Sequence, residues 1–357
     1  MICGISLDPG DLLYKYRLCQ RIGGGFFGEV WLAHDIHIDR DVAVKIQVLS
    51  EEAADDVLQE AQIGNHLDHR NLVRVHSADT DIYEEKVLLL IAMDFYSNGS
   101  IINKLNKLDF IPLQEGIRYL IDVLKGLEHL HVNGIYHGDI KPQNILIGQE
   151  DEASLTDYGI SCYSPELVPV QSKAFYYPHA APETLSDKQI SIQTDIYQVG
   201  MTAFRLLNGE AKLRKILEDS GLEGYCDLVQ QGKVIQSCDY LPFIPRNLKM
   251  ILSKATHVDP SRRYQMALEM RRALERLNYL GYWTCDSEGN LVGYNDGKTY
   301  FFSVESRGEG RYNFVAAKRE KSGRKVRVGR YSKANVSLKE IEVLKQRYML
   351  FVVTGKK

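Results

Sequence analysis

The sequence predicts an α+β fold in which a strand-rich segment precedes a helix-rich segment and a small α+β module follows. Three observations support this: apolar alternation up to Met93, helical periodicity from about Leu113, and a return to short strands after Leu280. A length of 357 residues suits two or three domains. We therefore divide the chain into a leader (1–15), a main domain (16–280) and a basic α+β accessory domain (281–357).

The composition excludes several classes of protein. Apolar residues make up 44% and charged residues 25%, which is typical of a globular chain and not of a disordered or collagen-like one. No apolar run approaches the roughly 20 residues of a membrane-spanning helix, and no secretory signal precedes the first strand. The six cysteines contain no Cys-x-x-Cys pair. We therefore expect a cytoplasmic protein with reduced thiols and without a zinc site.

The net charge of −3 conceals an asymmetry. Residues 281–357 contain 16 basic and 8 acidic residues, a net charge of +8, so that the preceding part carries −11. An acidic body with a basic module suggests that the two parts bind different partners or each other. A chance difference between two solvated surfaces is the alternative, because net charge bears on association and not on fold.

The elements of the main domain follow from the residue pattern. Strands are predicted between Tyr16 and Ile46, at Leu72–Ser77 and at Lys86–Met93, with a helix at Glu51–Leu67 that is acidic in its first turn. Apolar residues then recur at helical spacing from Ile117 to Leu130, and this helix ends near Asn133-Gly134.

Further helical stretches are expected at Asp195–Leu207 and Leu248–Leu280. The accessory domain is predicted to contain four strands and one helix: Leu291–Tyr294, Thr299–Val304, Tyr312–Ala316, Lys325–Val328 and the helix Ser337–Tyr348.

A glycine cluster, Gly23-Gly24-Gly25 with Gly28, lies between two predicted strands. Glycines let the backbone approach a polyphosphate closely. The strand–turn–strand context does not fit a Rossmann turn, and the absence of Gly-Lys-Ser/Thr excludes a Walker loop. Lys45 ends an apolar strand, where it either reaches solvent at an edge or holds anionic oxygens, with Glu60 available as a counter-ion.

The residues with the clearest chemistry lie in the middle of the chain. The segment His137-Gly138-Asp139-Ile140-Lys141-Pro142-Gln143-Asn144 is followed by Asp157-Tyr158-Gly159, and later by Ala181-Pro182-Glu183 and Asp195. Two aspartates and an asparagine in one loop region supply the oxygen ligands that Mg²⁺ prefers. Phosphoryl transfer needs mainly positioning and charge neutralisation, which such a loop can provide.

These motifs, in this order, resemble the eukaryotic-type (Hanks-type) Ser/Thr protein kinase family from Tyr16 to Leu280. The resemblance implies a two-lobed protein-kinase fold, with a β-rich N-lobe and a helical C-lobe that bind ATP between them. It also implies transfer of the γ-phosphoryl group to protein Ser/Thr hydroxyls. Lys141, two residues after Asp139, resembles Ser/Thr kinases and not tyrosine kinases.

The resemblance also implies residue roles. Asp139 would orient the substrate hydroxyl and accept its proton, Lys141 would neutralise the transferring phosphate, and Lys45 would hold the phosphates and pair with Glu60. Asn144 and Asp157 would bind Mg²⁺, or Mn²⁺ in its place. The implied ATP site consists of Gly23, Gly25, Phe27, Gly28, Val30, Ala43, Lys45, Met93, Asp94, Tyr96, Asn144, Leu146 and Asp157. Glu183 would pair with Arg263, and Asp195 would brace the catalytic loop.

Several positions depart from the family pattern. Gly138 replaces an arginine that would pair with a phosphorylated activation loop, so we expect activity that does not strictly require phosphorylation of Ser161, Ser164 or Ser172. Tyr158 adds a hydroxyl that needs a partner. Gly64 is expected to leave a void, or a Tyr158 that leans into it. Phe175-Tyr176 stands where the family has a Gly-Thr pair, which leaves the acceptor specificity open.

Two other functions compete with this interpretation. A pseudokinase scaffold is opposed by the presence of all five family residues, Lys45, Glu60, Asp139, Asn144 and Asp157. A small-molecule kinase of the aminoglycoside-phosphotransferase type shares His137-Gly138-Asp139 but not Lys141 or Ala181-Pro182-Glu183.

The basic module allows three interpretations. Its cations cluster around one predicted hairpin: Arg319, Lys321, Arg324, Lys325, Arg327 and Arg330. With Tyr312, Phe314 and Tyr331 nearby, they could contact nucleic acid, and the segment is faintly similar to the arm-type DNA-binding domain of tyrosine recombinases. Docking to an acidic protein or to the chain's own acidic body is the second interpretation, and a merely solvated hairpin is the third.

Overall fold

A computed structural model describes residues 6–25, 28–49, 64, 67–158, 161–172 and 174–356. The predicted helix at Glu51–Leu67, which includes Glu60, lies outside this part of the chain except for Gly64, which is helical, and Leu67. The remaining residues form a β-rich N-lobe, a helical C-lobe and a C-terminal sheet with one helix. The two-lobed α+β prediction is therefore confirmed.

The N-lobe is a six-stranded antiparallel sheet in the order β1-β2-β3-β4-β6-β5. Its strands are β1 (Leu12–Leu13), β2 (Tyr16–Gly25), β3 (Gly28–Asp35), β4 (Arg40–Val48), β5 (Val75–Tyr83) and β6 (Lys86–Met93). Leu88 and Leu90 pack into the outer core with Trp31, whereas Leu89 and Ile91 face a second cluster. The sheet is thus buried on both faces, because successive side chains point to opposite sides.

The hairpin of β2 and β3 requires a glycine at its second strand. Gly28 has φ +131°, and a Cβ there would collide with the carbonyl oxygen of Ile46 on β4. Only glycine adopts this backbone without strain and without a clash. Glycine at this position therefore lets the hairpin pack directly against β4, the strand that carries Lys45.

The C-lobe contains seven helical elements in its described residues: α1 (Ile101–Leu108), α2 (Leu113–Val132), α3 (Pro182–Asp187), α4 (Ile192–Asn208), α5 (Glu210–Gln230, with a non-helical kink at Gly221), α6 (Arg246–Ala255) and α7 (Ala267–Glu275). Helix α4 is buried along its length from Thr194 onward, and a capping box of Ser191 and Thr194 fixes its start. Short strands and single turns connect the helices: β7 (Ile135–Tyr136), β8 (Ile145–Ile147), β9 (Ala153–Leu155), β10 (Cys162–Tyr163), β11 (Val170–Gln171), β12 (Gln189–Ile190), and 3₁₀ turns at Pro142–Asn144, Tyr177–His179, Ser237–Asp239 and Pro260–Arg262.

The prediction of one helical stretch over Leu248–Leu280 is wrong. The structure has α6 and α7 with a loop between them, in which Asp259 caps the 3₁₀ turn at Pro260–Arg262. Proline cannot continue a helix, because it lacks the N–H group and clashes with the preceding turn. Helices α1, α3 and α5 were not predicted.

The C-terminal module is a six-stranded sheet covered by one helix. The strands are β13 (Gly281–Cys285), β14 (Leu291–Asn295), β15 (Lys298–Gly308), β16 (Arg311–Arg319), β17 (Lys325–Arg327) and β18 (Lys333–Val336); a 3₁₀ turn at Gly329–Tyr331 precedes β18, and helix α8 is Leu338–Thr354. Four strands were predicted, and β13 and β18 were missed: β13 continues the apolar stretch assigned to a helix, and β18 is mostly exposed.

The hydrophobic core of this module is continuous with that of the C-lobe. Trp283, Phe314 and Tyr348 are fully buried and belong to the same cluster as the apolar face of α2. The Trp283 indole N–H donates to the carbonyl of Met349 on α8, 3.1 Å away. The sheet, its helix and the C-lobe therefore pack as one body.

Candidate active site

Asp139 lies in the loop after β7, with one carboxylate oxygen held and the other free. Its Oδ2 accepts hydrogen bonds from Lys141 Nζ at 2.6 Å and from Asn144 Nδ2 at 2.9 Å. Its Oδ1 is buried and has no hydrogen-bond partner among the described residues. A buried polar atom without a partner is costly unless a ligand uses it. An oriented oxygen of this kind can accept a hydroxyl proton.

The loop that carries Asp139 is anchored from below by helix α4. Asp195, fully buried, accepts from the backbone N–H groups of His137 at 3.0 Å and Gly138 at 2.8 Å, and its Oδ2 also contacts His131 Nε2 at 2.9 Å. Gln198 bonds the loop on both sides of Asp139. The structure thus confirms that Asp195 braces this loop.

Lys45 reaches from β4 across to Asp157. The two form an ion pair at 2.8 Å in which the lysine side chain is 8% exposed and the aspartate 31% exposed. Burial opposes ionisation of Asp157, but the charge and hydrogen bond of Lys45 keep the pKa of that carboxyl below its ordinary value. Asp157 has φ +69°, which turns its side chain toward Lys45 in a conformation few non-glycine residues adopt. The pair links the two lobes.

Asn144 and Asp157 leave oxygens for a cation. The amide N–H₂ of Asn144 donates to Asp139, and only one oxygen of Asp157 is bonded to Lys45, so the Asn144 Oδ1 and the second Asp157 oxygen accept nothing from the described residues. The backbone N–H of Thr156 donates to the Asn144 carbonyl at 3.0 Å, which ties the two loops together. Hard oxygen donors of this type fit Mg²⁺. A preformed cluster of three or more His, Cys, Asp or Glu residues is absent from the described chain.

An apolar cluster between the lobes coincides with the implied adenine site. Ala43 and Met93 are buried in it, and Val30, Tyr96 and Leu146 pack against it. Burial raises the pKa of the Tyr96 hydroxyl. Such a cluster can receive a flat heterocycle.

The Asp94 side chain does not face this cluster. Its carboxylate pairs with Arg40 at 2.5 Å and with His76 at 2.9 Å, and its N–H donates to the Arg74 carbonyl. Any contact of Asp94 with a nucleotide would therefore be through its carbonyl.

The structure brings together Lys45, Asp139, Lys141, Asn144 and Asp157, with Gly23, Gly25 and Gly28 in the hairpin of the same lobe as Lys45. Phe27 and Glu60 lie outside the described residues. The pairing of Lys45 with Glu60 stays a prediction.

Of the two alternatives predicted for Gly64, the void is wrong, and the Tyr158 ring does lie against this position. A Cβ at Gly64 would collide with the Val75 side chain and would lie 3.5 Å from the Tyr158 ring, so Val75 already fills this space. Tyr158 is 3% exposed, and its hydroxyl donates to the carbonyls of Val73 and Leu155, each 3.3 Å away. The extra hydroxyl therefore has partners, as the sequence required.

The predicted ion pair of Glu183 and Arg263 is confirmed. Arg263 donates from both terminal nitrogens to the two carboxylate oxygens at 2.7 and 2.8 Å, and its side chain is fully buried. This bidentate pair fixes α3 against the turn that follows α6.

A second buried network was not predicted. His179 Nδ1 donates to the carbonyl of Ile140 at 2.8 Å, and its Nε2 accepts from Arg205 at 2.8 Å. Arg205 in turn makes a bidentate pair with Glu210 at 2.7 and 2.8 Å. The carbonyl can only accept, so His179 is neutral with its proton on Nδ1. The only indication of this network in the sequence is Arg205, a charged residue within the apolar run of α4.

Burial and the Arg205 charge lower the pKa of His179 well below its ordinary value. Beside this network, the Tyr176 ring lies under Lys141, with Nζ 4.7 Å from the ring centroid. Tyr176 and His179 therefore both contact the catalytic loop, and of the two only Tyr176 belongs to the pair that departs from the family pattern.

The predicted basic cluster of the C-terminal module is exposed, whereas two of its three predicted aromatic companions are buried and the third, Tyr312, is half-buried. All six cations are exposed: Arg319, Lys321, Arg324, Lys325, Arg327 and Arg330. Phe314 is fully buried and Tyr331 is 7% exposed, so both belong to the core. Neither ring is available to stack on a nucleic-acid base.

None of the described helices is both long and apolar enough to cross a lipid bilayer.

Comparison with known proteins identifies the family of the chain. A family model described as protein kinase domain matches residues 16–274. The chain is similar to "Serine/threonine-protein kinase PrkC" of Bacillus subtilis, 29% identical over 72% of this chain and 39% of the relative. It is also similar to "Serine/threonine-protein kinase PknB" of Mycobacterium leprae, 29% identical over 76% of this chain and 44% of the relative. The chain thus spans less than half the length of these relatives. The kinase-domain match covers the residues from the glycine hairpin to the Arg263 turn, and the chain belongs to the protein kinase domain family.

Proposed function

We propose that this protein is an ATP-dependent protein kinase that transfers the γ-phosphoryl group to Ser or Thr hydroxyls of protein substrates. The observation that carries the proposal is the Asp139 carboxylate, with Oδ2 fixed by Lys141 and Asn144 and a buried Oδ1 that has no partner in the described chain. A scaffold that only binds nucleotide has no need for an oriented, unpaired oxygen at this point.

Each residue of the site has a role in this chemistry. Asp139 Oδ1 would accept the hydrogen bond of the substrate hydroxyl and orient its lone pair toward the phosphorus. Lys141, 2.6 Å from the other oxygen, would neutralise charge on the transferring group. Lys45 would hold the α- and β-phosphates, and Asn144 and Asp157 would hold Mg²⁺, or Mn²⁺ in its place. The bound cation would neutralise phosphate charge.

Activation-loop phosphorylation is not strictly required in this proposal. Ser161, Ser164 and Ser172 are 3–7% exposed, and their hydroxyls donate to backbone carbonyls. Phosphorylating any of them requires local opening of the loop. Gly138 has φ +76°, a conformation that disfavours the arginine that would receive such a phosphate.

The Ser/Thr preference is supported by Lys141 and by the similarity to proteins named serine/threonine-protein kinases. Tyr176, which packs against Lys141, would lie on the surface that an acceptor segment meets, while His179 is buried. The expected location is the cytoplasm.

The test is transfer of label from γ-labelled ATP with Mg²⁺ to the protein itself and to a generic basic protein. Asp139→Asn and Lys45→Met should each abolish transfer. The exposed α5 residues supply matched controls, Asp219→Asn and Lys215→Met, which should leave transfer unchanged. Acid hydrolysis should recover phosphoserine or phosphothreonine. ATP binding without any transfer would favour a scaffold, and transfer to an aminoglycoside alone would favour a small-molecule kinase.

The basic module would bind an acidic protein in this proposal, either a substrate or another partner. Its six exposed cations form no ion pairs within the described part of the chain, and the burial of Phe314 and Tyr331 favours an acidic protein over a stacked nucleic acid. Binding to an acidic peptide should weaken steeply as salt rises from 50 to about 300 mM, because exposed charges are screened. Salt-independent binding would refute it.

A further inference from the structure

A cavity of about 760 Å³ lies between the C-lobe and the C-terminal module, away from Asp139. One wall is the start of helix α6 with Asn278 and Tyr279, and the other wall is α8 with Arg330 and Tyr331. Cavities of about 300–1,000 Å³ are the size that small ligands occupy. The cavity is large enough for a molecule of mononucleotide size.

The charged residues that line this cavity all have one sign. They are Arg246, Arg330, Arg347 and Lys356, and no acidic residue lines it. All four are exposed, and none forms a side-chain hydrogen bond or ion pair within the described residues. Unpaired cations facing one concave space repel each other, and an anion would relieve that repulsion.

The floor of the cavity is apolar and partly aromatic. Leu344, Leu350 and Phe351 of α8 are half-buried there. Phe351 stacks on Tyr331 with ring centroids 5.2 Å apart. Partly exposed apolar side chains beside cations suit a ligand with a flat apolar body and an anionic group.

The start of helix α6 adds to the positive potential. Pro245, Arg246 and Asn247 all line the cavity, and Arg246–Ala255 is a ten-residue helix whose first N–H groups lie at this end. The partial positive charge of a helix start favours anions. At this cavity the partial charge of the α6 start adds to the attraction that the four cationic side chains exert on an anion.

We propose that this cavity binds a small phosphate-bearing molecule with an aromatic ring, of the nucleoside monophosphate class. The cations and the start of α6 would hold the phosphate, and Phe351 would contact the ring. The site is separate from the catalytic cleft, and both walls contribute to it, so a bound ligand would bridge the C-lobe and the C-terminal module. The proposal does not depend on kinase activity.

The test uses the full chain and three probes: AMP, ribose 5-phosphate and adenosine. Binding is followed by saturation-transfer NMR and by titration calorimetry. AMP should bind at least about tenfold more tightly than either fragment, because only AMP carries both the charge and the ring. Ribose 5-phosphate binding as tightly as AMP would refute the role of the ring. Adenosine binding as tightly as AMP would refute the role of the cations.

Two double variants with the same change in charge locate the site. Arg330→Gln with Arg347→Gln should weaken AMP binding by about tenfold or more, as expected for two lost charge-assisted contacts. The control, Arg319→Gln with Arg327→Gln, lies on the same module outside the cavity and should leave the AMP affinity unchanged. Equal losses in both would assign binding to the general basic surface. AMP binding that is lost only in Lys45→Met would assign it to the catalytic cleft, and either result overturns the proposal.

Discussion

The buried His179 should make the stability of the protein depend on pH with a predictable sign. In the fold it is neutral, because it donates to Ile140 and accepts from Arg205, and Lys141 adds a further positive charge nearby. In the unfolded chain it would have its ordinary pKa of 6.5. Because the folded pKa is depressed, the unfolded state takes up the proton first. The contribution of neutral His179 to the free energy of unfolding is complete above pH 6.5 and is lost as the pH falls below this value.

The magnitude follows from the size of the pH interval. One pH unit below the unfolded pKa corresponds to about 1.4 kcal/mol, so His179 should lower the free energy of unfolding by about 1.4 kcal/mol between neutral pH and pH 5.5. The substitution His179→Asn keeps a donor for Ile140 but removes the titration. At pH 7.5 this variant should be less stable by roughly 1–3 kcal/mol, because the buried Nη1 group of Arg205 loses its acceptor while Glu210 keeps the rest of the guanidinium paired. At pH 5.5 the difference in free energy of unfolding between the parent protein and this variant should be smaller by about 1.4 kcal/mol.

The assay is denaturant unfolding of both proteins at pH 7.5 and pH 5.5. A control of opposite sign is His34→Asn, since hydrogen bonding to Asp41 raises the pKa of the exposed His34 and its stabilisation is lost as the pH rises. The variant without His34 should therefore differ more from the parent protein in its free energy of unfolding at pH 5.5 than at pH 7.5. Parallel stability curves for the parent and His179→Asn would refute the neutral, buried state of His179.

Three further substitutions test the packing around the site. Glu183→Gln leaves the buried Arg263 charge without its partner and should cost about 3–5 kcal/mol in denaturant unfolding; a loss below about 1 kcal/mol would contradict this. Gly64→Ala should destabilise by about 1–3 kcal/mol, because its Cβ collides with Val75, and an unchanged thermal midpoint would show that the space is open. Tyr158→Phe leaves the Val73 carbonyl without its donor, while the Leu155 carbonyl still accepts from the Val73 N–H, and it should cost about 1 kcal/mol in unfolding while phosphoryl transfer continues; abolished transfer would show that the hydroxyl has a catalytic role.

The parts of the site that the sequence predicted are those in which chemistry restricts the residue type. Asp139, Asn144 and Asp157 stand in short loops, where few residues can supply oxygens at those spacings, and the structure joins these loops by direct hydrogen bonds. The pair of Glu183 and Arg263 was predicted from the resemblance to the kinase family, and the structure shows that it gives a buried charge its partner.

The parts that were missed depend on contacts between residues distant in the chain. Val75 fills the space beside Gly64, and no local pattern reveals which side chain a neighbouring strand supplies. His179 and Arg205 are 26 positions apart and meet only because α4 passes beneath the catalytic loop. Strand β18 lacks apolar alternation, and its pairing with β16 decides its conformation.

The shared core of the C-lobe and the C-terminal module bears on how the chain unfolds and how it can be cut. Trp283, Tyr348 and Val352 are completely buried in the cluster that also holds α2. A truncation after Leu280 would expose this apolar surface of the C-lobe to water. The two parts should therefore melt in a single cooperative transition, and a fragment limited to residues 16–280 should aggregate and not behave as an independent domain.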